Sequence, residues 1–232
     1  MNMDDLSETI KENSEESAFR LATYYLSFKS RTEHEIKTYL AKKGYEDTTV
    51  DKVLEKLSYY GFTDDRQYAI NYIANAIEAK KKSADTVKLE LMKRGISSEI
   101  IEDCIPVFSY DINLETAKRI GKKYFYRKSN LPYKQLKNKL SQLLAQRRFT
   151  REIIDDCLNY LDRDEQIQSI VISNQEQYQS QAVKLAEEYF FRYTRKENNP
   201  YLLRQKIKHA LYRRGYDMDI INSAVEEILN KS

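Results

Sequence analysis

The sequence predicts an all-α fold, an elongated array of four three-helix, helix–turn–helix-like repeats. The first observation behind this is a spacing that occurs four times. Counted from the anchors Gly44, Gly95, Arg148 and Gly215, apolar side chains fall at +1, +6, +9, +10 and +13. In the first copy these are Tyr45, Val50, Val53, Leu54 and Leu57, and in the last Tyr216, Ile221, Ala224, Val225 and Ile228. Positions −4 and −8 are also apolar throughout: Leu40 and Ile36, Leu91 and Val87, Leu144 and Leu140, Leu211 and Ile207. The second observation is that five Gly and three Pro in 232 residues leave little material for sheet edges and tight turns. The third is a charged fraction of 32%, which suits small repeated units with long solvated faces better than one large globule.

The elements follow in order. Residues 1–16 carry six acids against one lysine and read as an acidic flexible tail. Repeats one, two and three then occupy 17–60, 61–110 and 111–165, and 166–232 holds a linker helix and repeat four. The first helix of each repeat has an Ala followed by apolar side chains three and seven residues on. The sets are Ala18, Leu21 and Tyr25; Ala69, Tyr72 and Ala76; Ala117, Ile120 and Tyr124; Ala182, Leu185 and Tyr189. Asp64-Asp65 reads as the N-cap of the first helix of repeat two.

Second helices start at a Thr32-x-x-Glu35 capping box and at Ser83 in the matching place. In the later repeats Pro132 and Pro200 stand near the first helical turn. Glycine at three anchors suits a left-handed C-cap, and Arg148 requires a turn of another kind or a strained one. Asp47, Ser97, Thr150 and Asp217 are placed to cap the third helices. The linker from Asp162 to Ser180 carries the apolar patch Ile167, Ile170, Val171 and Ile172, which predicts a packing helix and a hinge. Cys104 and Cys157 share the +9 core position, so they read as free, buried hydrophobes of a reducing cytoplasm.

Several function classes find no support. No apolar run approaches the ~18 residues that span a bilayer. The sequence has no phosphate-cradling Gly-rich motif, and two His with no Cys/His cluster leave little for a metal site. His34 and His209 read as surface residues. The expectation is no cofactor, no metal, no catalysis and a monomer.

Charge is where chemistry gathers. Residues 17–113 balance at fifteen of each sign, whereas 114–232 carry 23 Lys or Arg against fifteen acids. From Lys118 to Arg151 there are twelve basic residues and no acid. The candidate contacts there are Lys118, Lys122, Lys123, Arg127, Lys134, Lys137, Arg147, Arg148 and Arg151. Repeat four echoes them with Arg192, Arg195, Arg204, Lys208, Arg213 and Arg214. Lys118 with Lys122, and Lys134 with Lys137, have helical spacing and form stripes suited to a phosphate backbone. The triplets Tyr124-Phe125-Tyr126 and Tyr189-Phe190-Phe191 interleave rings with this charge, one ring of each at core spacing. Third helices carry acids such as Glu55, Glu102 and Asp155, which argues against major-groove reading and for non-specific backbone contact.

Three segments together resemble the RecX family: Phe28 to Tyr45 (R-T-E-H-E-I within it), Tyr60 to Ala69 (Y-G-F-T-D-D-x-x-Y-A) and Lys81 to Ile96 (ending E-L-x-x-R-G-I). The likeness is strong over 18–108, and 114–232 is similar in repeat spacing, with four units where short members have three. The resemblance implies a cytoplasmic bacterial regulator, not an enzyme, that binds the RecA recombinase filament on DNA and restrains recombination and the SOS response. Its partners would be the RecA filament and single-stranded DNA, with double-stranded DNA as a further form, and no membrane. A free-standing, non-specific or architectural DNA-binding repeat protein is the alternative that the charge pattern also allows.

Overall fold

The computed structural model describes residues 14–230, and among them every regular element is a helix. Repeat one is α1 (Glu15–Ser27), α2 (Glu33–Lys42) and α3 (Asp47–Tyr59). Repeat two is α4 (Asp65–Ala79), α5 (Ala84–Lys93) and α6 (Ser98–Cys104), followed by a short 3-10 turn at Ile105–Val107. Repeat three is α7 (Tyr110–Lys128), α8 (Tyr133–Gln146) and α9 (Arg151–Arg163). Then come α10 (Glu165–Ser173), α11 (Gln175–Tyr193), α12 (Pro200–Arg213) and α13 (Met218–Leu229). The chain divides into two compact units between Ile112 and Asn113.

Each repeat has its own apolar core. The side chains at +6, +9 and +13 from the anchors, and at −4 and −8, are buried in all four copies. Ala18, Ala69, Ala117 and Ala182 are fully buried, which lets each first helix lie close on its partners. Cys104 and Cys157 are buried and free, and burial pushes the Cys157 thiol up to about 12. In the first ring triplet the buried member is Phe125, one place beyond Tyr124, whereas in the second it is Tyr189. Tyr126 and Phe191 stay exposed.

Local signals act largely as the sequence requires. Thr32 and Glu35 form a full capping box on α2, and Ser83 accepts from the Thr86 N–H on α5. Asp64 caps α4, Ser97 caps α6 and Thr150 caps α9. Two caps differ from expectation. Asp47 lies inside the first turn of α3 because Glu46 takes the cap position, and Asp217 holds its cap position without a side-chain hydrogen bond.

The acidic start also differs in part. Residues 1–13 lie outside the described residues, but Ser14 caps α1, and Glu15 pairs with Lys56 at 3.6 Å. The linker patch divides too: Ile167 is buried in the core of repeat three, while Ile172 is exposed.

The anchors close their helices with one pattern. Gly44 N–H donates to Ala41 O and Tyr45 N–H to Leu40 O, the paired bonds of a Schellman turn. Arg148 makes the same turn, its N–H on Ala145 O and that of Phe149 on Leu144 O, with φ at 61°. The arginine therefore sits in the left-handed region at a cost of about 1–2 kcal/mol that glycine would not incur.

Within the first unit the repeats meet end-on. The C-terminus of α5 abuts the N-terminus of α2, where the Thr32 hydroxyl donates to Arg94 O at 2.6 Å. The Arg94 guanidinium reaches Glu35 at 2.6 Å and lies over the Tyr68 and Tyr72 rings. The Glu33 N–H donates to Asp65 at 3.0 Å. The carbonyl end of one helix dipole thus meets the amide end of another, the favourable sense. In the second unit, Gly215 beyond α12 packs against Gln135 in the first turn of α8.

Candidate nucleic-acid interface

The basic residues stand on α7, α8, α9, α11 and α12 and in the turns that follow α8, α11 and α12, and all of them belong to the second unit. A lysine contacts phosphate only if its charge is available, so the partners of each cation decide its use. Lys122 on α7 bonds Asp164 at 2.7 Å, and Lys137 on α8 bonds Asp162 at 2.7 Å. Lys118 and Lys122 also flank the Tyr160 ring at 4.6 and 5.3 Å, and Lys118 pairs with Glu115. The Lys118/Lys122 stripe and Lys137 of the second stripe are therefore turned toward α9 and the start of α10.

Asp162 and Asp164 stand beyond the acid-free stretch and Glu115 just before it, where a count along the sequence does not pair them with it. Arg151 pairs with Asp155 at 3.7 Å and Arg204 with Glu226 at 3.2 Å. Lys134 lies 4.0 Å from the centre of the Tyr212 ring, Lys208 donates to Asn222, and Arg214 donates to Tyr189. Arg192 lies over the Tyr189 ring at 5.6 Å, and Arg147 is exposed.

Of the predicted cations, Lys123, Arg127, Arg148, Arg195 and Arg213 are exposed and make no ion pair, ring contact or side-chain hydrogen bond among the described residues. Lys123 and Arg127 are one turn apart on α7. Arg148 is presented by its strained turn, and Arg213 follows the Tyr212 ring that carries Lys134. No cluster of His, Cys, Asp or Glu able to hold a metal occurs among the described residues, and no described helix is long and apolar enough to cross a membrane.

Titration follows from this geometry. The Lys122 hydrogen bond holds the Asp164 carboxyl below the usual carboxylate range against its desolvation. Burial opposes ionisation of Asp162, but Lys137 and the Tyr133 hydroxyl outweigh it and lower that carboxyl too. A depressed carboxylate stabilises the fold above its unfolded value, about 3.9, and the contribution is lost as pH falls through the folded one. Thermal melts of D162N/D164N are therefore expected to lie below those of the native chain at neutral pH. The two should converge as the pH is lowered below about 4. A gap that stays constant down to strongly acid pH would mean that these ion pairs do not stabilise the second unit.

Comparison with known proteins adds to this geometry. The family model described as RecX, first three-helix domain, matches residues 18–57, and that of the second domain matches 64–105. The model of the third three-helix domain matches twice, at 111–158 and at 175–225. The chain is 31% identical over 210 residues to a Regulatory protein RecX of Geobacillus sp. (strain WCH70), covering 90% of this chain and 73% of that one. It is 33% identical over 210 residues to a Regulatory protein RecX of Streptococcus mutans, covering 90% and 77%. The crystal structure of RecX from Lactobacillus salivarius superposes with a TM-score of 0.59 at 26% identity, covering 64% of this chain and 96% of that one.

Proposed function

The chain belongs to the RecX family of regulatory proteins, and from that membership we propose that it restrains the RecA recombinase by binding the RecA–DNA filament. It acts in the cytoplasm as a monomer, without catalysis of its own, and holds down recombination and the SOS response. The array lies in the filament groove, and the basic residues of repeats three and four meet the DNA backbone. The observation that carries this is the double match of the third RecX domain, at 111–158 and 175–225. Those segments hold the exposed, unpaired cations Lys123, Arg127, Arg148, Arg195 and Arg213. Backbone contact of this kind needs positive charge and tolerates any sequence.

RecA ATP hydrolysis on single-stranded DNA, titrated with this protein at less than one per RecA, tests the proposal. Turnover is expected to fall while electron micrographs of the same samples show shortened or decorated filaments. Unchanged turnover, together with duplex binding by the chain alone, would replace it with a free-standing DNA-binding protein.

A further inference from the structure

The first unit, whose charges balance from residue 17 onward, holds a groove of about 640 Å3 between repeats one and two. That volume lies within the range of small-ligand sites, about 300–1,000 Å3. One wall is the Lys29–Ser30–Arg31 loop between α1 and α2, and one end is the Gly61–Phe62–Thr63 turn after α3. The floor is α4, which presents Gln67, Asn71 and Asn75 on successive turns.

Two donors in this groove have no acceptor. Thr63 is 4% exposed and its Oγ1 makes no hydrogen bond, and the Arg31 Nε is buried and equally unpartnered. The Arg31 guanidinium lies 4.3 Å from the centre of the Tyr25 ring and has no ion pair among the described residues. Buried donors are rarely left unmade, because each such group costs about 1–3 kcal/mol. The Arg31 guanidinium and the Thr63 hydroxyl, with Nε and Oγ1 free of any hydrogen bond and Lys29 beside them, suit an oxyanion, while the one carboxylate of the lining, Asp64, accepts from the Gln67 N–H.

The rest of the groove selects which oxyanion. Phe62 is 53% exposed at the groove's end, and Phe19 stands edge-on to it with ring centres 6.1 Å apart. Gln67 donates to Asn71 at 3.1 Å, so these carboxamides are already aligned, and each offers both a donor and an acceptor. A carboxylate peptide would use the cations and the amides but leave the ring idle. A nucleotide uses all three: phosphate on the cations, base face on the ring, base edge on the amides.

We propose that this groove binds one nucleotide of a single strand, its phosphate at Arg31 and Thr63 and its base on Phe62. The site deepens the DNA contact proposed above and rests on it for the source of the strand, but it stands in the other unit and uses other residues.

The test is titration of the full-length protein with dTMP, inorganic phosphate and tetraglutamate, followed by NMR at the Arg31 Nε–H and the Thr63 amide. Both phosphates are expected to shift these signals, dTMP at about tenfold lower concentration, the stacking advantage of one base. F62A should abolish that advantage. T63V, which keeps the side-chain volume, should weaken both without lowering the melting temperature. Saturation by tetraglutamate below the dTMP concentration would overturn the proposal and give the groove to an acidic protein segment. No shift with any probe would also overturn it. The dTMP shifts should persist in K123E/R127E/R213E, so a failure of the second-unit surface and a failure of this groove are read separately.

Discussion

G95A is expected to lower the stability of the first unit by about 3 kcal/mol or more. Two costs add. Gly95 has φ at 82°, where a side chain is strained by about 1–2 kcal/mol. A Cβ there would also lie 2.2 Å from the His34 Cβ and 2.3 Å from its Cγ, inside contact distance. Relief would require α5 to withdraw from α2, which breaks the Thr32 to Arg94 hydrogen bond and the Arg94–Glu35 ion pair. Gly44 is the control, with φ at 90° but nothing within 4 Å of an added Cβ. G44A should carry the backbone cost alone. Circular-dichroism melts decide the matter, because a G95A loss no larger than that of G44A would mean that the end-on junction does not hold the repeats.

The second large effect concerns binding. K123E/R127E/R213E is expected to reduce affinity for single-stranded DNA at about 0.1 M salt by two orders of magnitude. It should flatten the salt dependence by about 0.7 in log–log slope for each phosphate no longer neutralised. The three residues are exposed and unpaired, so their reversal should leave the melting temperature near its native value. K122E/K137E provides the contrast. Those lysines hold Asp164 and Asp162, and reversing them sets like charges face to face at each pair. That variant should lose stability first, with a smaller change in salt slope. Equal affinity and slope in the first variant and the native chain would put the nucleic-acid surface elsewhere.

Much of this architecture is legible in the sequence because it is local. The +6, +9 and +13 positions are one face of a third helix, and the turn at each anchor is decided by a few neighbouring residues. Thr32, Ser83 and Asp64 act on backbone N–H groups three residues away. Even Arg148 is readable as an exception, and its φ of 61° shows which exception it is.

What sequence cannot supply is the pairing of distant groups. The stretch from Lys118 to Arg151 has no acid of its own, yet Asp162 and Asp164 fold back onto it. Running charge counts overstate that surface for this reason. His34 reads as an exposed surface residue and is one, but its Cβ also fills the space that Gly95 leaves open. Thr32 shows the limit most plainly. Its capping role is local and visible, while its bond to Arg94 spans 62 residues and is not.

That same bond orders events at the ribosome. Repeat one is synthesised with its α2 N-terminus complete except for Asp65, 32 residues beyond Glu33, and Arg94, 59 residues beyond Glu35 and 62 beyond Thr32. Its own core can condense as soon as it emerges, but its final shape waits until α5 has been released. Repeats one and two are therefore expected to mature as a pair, and a pause placed between them would hold an unfinished surface open to cellular chaperones.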